Sequence, residues 1–308
     1  MKEMWVEKYR PKTLDGYVFT DEYQKSQIEE WVKEKSIPHL LLSGSAGVGK
    51  TTMAKILLEL LEVHEYDILY VNGSKEGRKI EWVDKLINWC NTMPFGDFKV
   101  VLIDEADYMN INSVQPALRA IMEDNSSTVR FILTCNYPNR ILPAIHSRCQ
   151  GFHINKTDIV EFTARVATIL VTENVEFNLD TLDSYVKSTY PDLRKCINLV
   201  QLNSIDNILK IPNTDESGVS DYKIEMVELF KQGKIKEARQ LVCSQALPDE
   251  MEDIFRWCYD NLDMWSKTED GQDEAIKIIR KGLVWHSQCA DPEINLSATL
   301  VELSQIGG

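Results

Sequence analysis

At 308 residues, with 44% hydrophobic and 27% charged residues, the chain has room for two or three domains with the ordinary cores of a soluble globular protein. Its apolar runs are only a few residues long, short of the ~20 that a membrane-crossing helix needs, and the opening MKEMWVEKYRPK has no uninterrupted apolar stretch for a signal peptide, so a cytoplasmic protein without a membrane partner is expected. The net charge of −14 is uneven: residues 1–154 carry 18 Lys and Arg against 21 Asp and Glu, the remainder 16 against 27, so a polyanionic partner would have to meet local basic clusters in the N-terminal half.

Taken in chain order, the first predicted strand is Leu40–Leu42, and it runs into Ser43-Gly44-Ser45-Ala46-Gly47-Val48-Gly49-Lys50-Thr51-Thr52. An apolar run, a glycine-rich turn and a helix-compatible stretch in that order make a phosphate-binding loop. Gly44, Gly47 and Gly49 can take positive φ, so that backbone N–H groups gather around phosphate oxygens at the positive end of the following helix. Lys50 supplies a mobile positive charge and Thr51 a hydroxyl for Mg²⁺. The expected ligand is ATP or GTP.

Ile68–Val71 and Val100–Ile103 are the next apolar runs, and the second ends in Asp104-Glu105-Ala106-Asp107. This is a Walker B pattern: a buried strand beside the phosphate-loop strand is expected to deliver Asp104 to the Mg²⁺ shell and Glu105 to the attacking water. Phe131–Cys135 is a further strand, ending in Asn136, whose amide could read a γ-phosphate or hold the water, although an asparagine before Tyr137-Pro138 is also an ordinary turn residue. Arg148, in Ser147-Arg148-Cys149, could be an arginine finger supplied to a neighbouring subunit or a structural surface arginine. Phe152–Ile154 is a fifth candidate strand. Short apolar runs alternating with helix-compatible segments predict a parallel sheet covered by helices.

From Asp158 the spacing becomes helical: Phe162, Val166, Ile169 and Leu170, then Leu179, Leu182 and Val186, then Leu193, Ile197 and Val200. Asp158 and Glu161 are spaced as a capping box, and Pro191 suits a helix start. The turn formers from Ile211 to Gly218 predict a linker, and Met226/Phe230, Ile254/Cys258/Leu262, Ile276/Ile279/Leu283 and Leu296/Leu300/Leu303 predict a separate helical bundle. The seven cysteines (90, 135, 149, 196, 243, 258 and 289) form no CxxC pair, so buried, reduced thiols are expected rather than disulfides or zinc ligands.

The succession GSAGVGKT, DEAD, CN and SRC, preceded by Trp5-Val6-Glu7-Lys8-Tyr9-Arg10-Pro11 and followed by Pro191-Asp192-Leu193-Arg194-Lys195, resembles the sliding-clamp loader ATPases of the AAA+ superfamily, in particular replication factor C small subunits. The resemblance spans roughly residues 4 to 205. The short tail and the lack of a zinc-binding insertion resemble the large subunit of the T4-type bacteriophage loader more than the bacterial gamma or delta-prime type. The implied fold is α/β: a RecA-like AAA+ domain over 1–155, a three-helix lid over 156–210, a linker over 211–221 and an all-α collar over 222–308.

On matching positions the resemblance implies that Val6, Glu7, Lys8, Tyr9 and Val18 line the adenine pocket and that Gly47, Val48, Gly49, Lys50, Thr51 and Thr52 hold the phosphates. It further implies that Thr51 and Asp104 support Mg²⁺, that Glu105 is the catalytic base and that Asn136 is the first sensor. Arg194 would read the γ-phosphate in cis and Arg148 would complete the next subunit's site in trans. Lys75, Arg78 and Lys79 would meet DNA phosphates, and Arg119 would couple DNA to the catalytic carboxylate. The implied partners are further copies of the chain and a non-identical subunit in a pentameric spiral, a sliding clamp and primer–template DNA; the implied cofactors are ATP and Mg²⁺. An AAA+ helicase loader or branch-migration motor is the nearest rival. A DEAD-box helicase would need a second RecA-like domain, and a pseudo-ATPase scaffold would not need every catalytic position filled.

Overall fold

The computed structural model describes residues 3–14, 16–17, 19, 21–77, 80–210, 222–246, 248–286 and 288–306. It divides into two compact units, one of residues 1–162 with 191–195, the other of 163–190 with 196–308. The predicted linker, together with Val18, Arg78 and Lys79, lies outside the described residues.

The first unit opens with a helical turn, α1 (Trp5–Lys8), and α2 (Glu22–Glu34), then alternates β1 (Leu40–Ser43), α3 (Lys50–Leu60), β2 (Ile68–Asn72), α4 (Glu81–Cys90), β3 (Lys99–Asp104), α5 (Val114–Asp124), β4 (Val129–Cys135), the short α6 (Pro143–His146) and β5 (Gln150–His153). All five strands pair in parallel, in the order β2-β3-β4-β1-β5. Side chains alternate along a strand, so each apolar run serves two cores. Val101, Ile103, Phe131 and Leu133 pack under α4 and α5 against Trp82, Leu86, Leu118 and Ile121, whereas Leu40, Leu42, Val100, Leu102 and Ile132 pack against Ile28 of α2 and Met53 and Leu57 of α3. Burial on both faces explains why these strands read as continuous apolar runs rather than alternating ones.

Two expectations need correction. β3 does not lie beside β1, because β4 is inserted between them, with Leu42 opposite Thr134 on one side and Ile103 opposite Leu133 on the other. The fifth strand is Gln150–His153 instead of 152–154; Ile154 leaves the strand while its N–H still donates to the Ser43 carbonyl at 2.8 Å.

Three helices follow the sheet: α7 (Ile159–Thr172), α8 (Leu179–Thr189) and α9 (Leu193–Asn203). Asp158 caps α7, its Oδ1 accepting from Val160 N–H at 2.8 Å. Pro191 precedes α9 without starting it; the cap is Asp192, whose Oδ1 accepts from Lys195 N–H at 3.0 Å. A hairpin of β6 (Ser204–Ile205) and β7 (Ile208–Leu209) then turns through Asp206 and Asn207, both with positive φ, as a two-residue primed turn requires.

In the second unit, α10 (Tyr222–Lys231), α11 (Ile235–Gln245), α12 (Pro248–Asp260), α13 (Glu269–His286) and α14 (Pro292–Ser304) enclose a core that includes Met226, Val242, Ile254, Phe255, Ile279 and Leu300. No helix among the described residues is long and apolar enough to cross a membrane.

Candidate active site

The loop leaving β1 has the backbone its glycines predict. Gly44, Gly47 and Gly49 all have positive φ, and Gly49 caps α3 from the left-handed region at φ 97°. The two later glycines are also closely packed. A Cβ on Gly49 would stand 3.0 Å from the Tyr17 ring, and one on Gly47 would stand 2.0 Å from Asp192 Oδ1. Tyr17, whose hydroxyl donates to the Val48 carbonyl at 3.5 Å, and Asp192 are thus packed directly on the phosphate loop.

Lys50 is buried and donates to the carbonyls of Gly44 at 2.9 Å and Ser45 at 2.6 Å, so its ammonium is held within the loop. Burial holds its pKa below the ordinary lysine value; the charge of Arg194 acts in the same direction, and Cys135, Asp104 and Asp107 oppose it. Arg194 is exposed on the first turn of α9, two residues after Asp192, which packs on Gly47. Thr52 is half-buried on the first turn of α3.

Thr51 Oγ1 donates to Asp104 Oδ1 at 2.8 Å, joining the phosphate loop to the end of β3 across the intervening strand. A hydroxyl on the first turn of α3 and a carboxylate at the end of β3 are hard oxygen donors of the kind Mg²⁺ takes together with phosphate oxygens. Glu105 follows with φ 57°, a left-handed conformation rare for a residue with a side chain, and its N–H donates to Thr134 Oγ1 at 3.1 Å. Thr134 in turn donates to Asp104 Oδ1.

Asp107, the last acid of the run, is buried and holds the segment after β4: its Oδ2 accepts from the N–H groups of Asn136 at 3.3 Å and Tyr137 at 3.2 Å. Gln115, fully buried on α5, ties the same region from another side. Its Nε2 donates to the carbonyls of Met109 at 3.3 Å and Arg140 at 3.0 Å, and its Oε1 accepts from Leu142 N–H at 2.8 Å.

The structure therefore brings Lys50, Thr51, Asp104, Glu105, Asn136 and Arg194 to one end of the sheet. Tyr17, Asp107, Gln115, Thr134 and Asp192 belong with them and carry no role in the sequence reading. Thr134 had a signal, a hydroxyl within an otherwise apolar strand, and Asp107 had another in the acidic run. Gln115 and Tyr17 had none.

Arg148 lies elsewhere. Gln150 pairs with Leu40 at the start of β1, so Arg148 stands at the opposite end of the sheet from its own phosphate loop, roughly 13 Å or more away at ~3.3 Å per strand residue. It is not a free side chain: its guanidinium pairs with Glu123 of α5 and donates to the Ala144 carbonyl at 2.5 Å, while its Nε is buried without a partner.

Val6, Glu7 and Lys8 lie in α1, with Glu7 paired to Arg10 at 2.9 Å, and the Lys8 ammonium sits 5.2 Å from the centre of the Tyr9 ring. Lys75 is exposed on a turn built by Asn72, whose Oδ1 accepts from Ser74 N–H at 2.9 Å and Lys75 N–H at 3.0 Å. Arg119 is exposed on α5.

Strand order, phosphate loop and acidic strand end together define a P-loop ATPase of the AAA class. The family model "ATPase family associated with various cellular activities (AAA)" matches residues 40–156, and "Rad17 P-loop domain" matches residues 1–74. The fold is shared with the Thermotoga maritima RuvB Holliday junction branch migration motor, with TM-score 0.55 and 18% identity over 78% of this chain and 86% of that one. Sequence relatives are more specific. The replication factor C small subunit of Methanococcus vannielii is 36% identical over 78% of each chain. Those of Methanococcus maripaludis and Sulfurisphaera tokodaii are each 34% identical, over 98% and 99% of this chain and 99% and 96% of theirs. The chain belongs to the replication factor C small subunit family.

Proposed function

We propose a division of labour among named residues by which this chain, a clamp-loader ATPase of DNA replication, couples hydrolysis to assembly. The observation that carries it is the Thr51–Asp104 hydrogen bond, which joins the phosphate loop to the acidic strand end and leaves Glu105 beside them. Lys50, Arg194 and the amides of Gly47, Val48, Gly49 and Thr52 hold the triphosphate. Thr51 and Asp104 hold Mg²⁺, which neutralises phosphate charge when bound. Glu105 orients the water and accepts its proton, Asn136 holds the γ-phosphate end, and Val6, Glu7, Lys8, Tyr9 and Val18 enclose the adenine.

Arg148 acts in trans. Its place at the far end of the sheet supports this reading, and exchange of its Glu123 partner for a neighbour's phosphate would make turnover depend on assembly. The remaining assignments complete the proposal: a pentameric spiral of several copies with a non-identical subunit, gripping a sliding clamp and primer–template DNA. Lys75, Arg78 and Lys79 meet DNA phosphates, and Arg119 links DNA to Glu105. The chain is divided at 155, 210 and 221 into ATPase domain, lid, linker and collar. A T4-type phage origin, with the infected bacterial cytoplasm as location, belongs to the same proposal, and the gene's presence in DNA packaged in phage particles tests it.

Phosphate release measured with clamp and primed DNA tests the function. Wild-type chain is expected to be stimulated by both together, Lys50→Ala to lose nucleotide binding, and Glu105→Gln to bind clamp while failing to turn over. Strand separation by the purified chain, with no clamp dependence, would favour the branch-migration alternative instead.

A further inference from the structure

Resting on the reading of Asp104 and Glu105 above, we infer that Thr134 is a positioning residue for ATP hydrolysis: its single hydroxyl, on the strand between phosphate loop and acidic strand, fixes the Asp104 side chain and the Glu105 backbone together.

β4 is apolar on either side of Thr134, in Phe131, Ile132, Leu133 and Cys135, and Thr134 itself is 1% exposed. Valine has the same shape and an equal liking for strands, so packing alone gives no reason for the hydroxyl. A buried hydroxyl is costly unless its hydrogen-bonding capacity is used. Here it is used, and in only one possible sense. The Glu105 N–H can only donate, so the Thr134 oxygen accepts there and its proton goes to Asp104 Oδ1. That same oxygen also accepts from Thr51 Oγ1 at 2.8 Å. Two hydroxyls from two different elements thus hold one carboxylate.

The Glu105 backbone needs holding as well. Its φ of 57° is a conformation that side-chain-bearing residues leave when released. On one side its carbonyl oxygen lies against Gly73, filling the space where a Cβ would stand 2.4 Å away, and on the other Thr134 restrains it through the N–H. Loss of the second restraint lets residue 105 relax and moves its carboxylate from the water it orients. A displacement of about 1 Å costs on the order of 10²-fold in rate.

The test compares full-length Thr134→Val, Thr134→Ser and Glu105→Gln chains by stimulated phosphate release, and by ADP affinity without Mg²⁺, which reads the phosphate loop alone. Thr134→Val is expected to lose roughly 10- to 100-fold in kcat, to keep its ADP affinity, and to be rescued by serine at the same position. Full turnover by Thr134→Val beside an inactive Glu105→Gln would overturn the role of Thr134 and leave that of Glu105 standing. Full turnover by Glu105→Gln would instead remove the reading on which the role rests. Parallel loss of turnover and ADP affinity in Thr134→Val would make the hydroxyl a folding element and overturn the proposal. Should the valine chain not fold, Thr134→Ala, which removes the hydroxyl without adding a methyl group against the carboxylate, is judged by the same outcomes.

Discussion

Arg148 has two competing demands on one guanidinium. Its guanidinium pairs with Glu123 and the Ala144 carbonyl in the single chain, while the trans role proposed for it would require the same group to turn to a neighbour's phosphate. Arginine fingers contribute about 10³- to 10⁵-fold to turnover. Arg148→Ala is therefore expected to remove most of the stimulated phosphate release, whereas Glu123→Gln, which frees the guanidinium, is expected to keep it and to reach half-maximal rate at lower chain concentration. A Glu123→Gln chain as inactive as Arg148→Ala would show that the ion pair itself is what turnover needs. The cysteines make a simpler case. Burial pushes the thiol of Cys135 up to about 12, so it is expected to resist alkylation at neutral pH while exposed Cys289 reacts. Peptide mapping after iodoacetamide treatment reads both.

At the scale of elements, the sheet was legible because strands buried on both faces leave continuous apolar runs bounded by turn formers. Four of the runs became strands and the fifth overlaps one that begins two residues earlier, while the glycine loop and acidic strand end stand where their patterns put them. The order of the strands was not legible, because nothing in β3 or β4 records which neighbour it pairs with. That one fact hid Thr134, whose role depends on β4 lying between β1 and β3. The β6–β7 hairpin was missed for a local reason: its strands are two residues each, and its turn is Asp206-Asn207 instead of the Asn-Gly or Asp-Gly pair that signals a primed turn. Gln115 was invisible because a glutamine on a helix is ordinarily solvated, and only the fold shows it bridging three backbone groups.

Two predictions belong at this scale. Leu102 is 1% exposed in the core between β3 and α3, and Leu102→Ala is expected to destabilise the chain by about 2–5 kcal/mol in denaturant titration. His39 must stay neutral to accept from Phe131 N–H at 3.1 Å, and burial, with Arg130 nearby, holds its pKa below the ordinary histidine value. The unfolded chain then takes up the proton first as pH falls, so stability present above about pH 6.5 is lost below it. Thermal midpoints should fall more steeply between pH 7 and 5.5 for wild type than for His39→Gln; equal slopes would contradict this.

For the whole molecule, composition restricted the possibilities without choosing among them. The near balance of charge in residues 1–154 allowed a nucleic-acid partner that the net charge of −14 would have argued against, and only the family resemblance, not composition, singled out Lys75, Arg78 and Lys79 for it. Lys75, exposed on its Asn72-built turn, is expected to make one phosphate contact; Lys75→Ala should then reduce the slope of log affinity against log salt for primed DNA by about 1, with no change in sequence preference. The phosphate loop and the acidic strand end could be read because chemistry fixes their residue types and spacing. The assembly proposed to share the site could not, because it depends on surfaces of separate chains.

The most direct measurement mixes two chains each expected to be inactive alone. Arg148→Ala keeps every residue proposed to act in cis, and Glu105→Gln keeps the arginine proposed to act on its neighbour. If each ATP site is shared, mixed assemblies contain some sites with both groups intact, and clamp- and DNA-stimulated phosphate release returns on mixing. If mixed assemblies form, as native mass spectrometry would show, and no turnover appears, the shared site is contradicted.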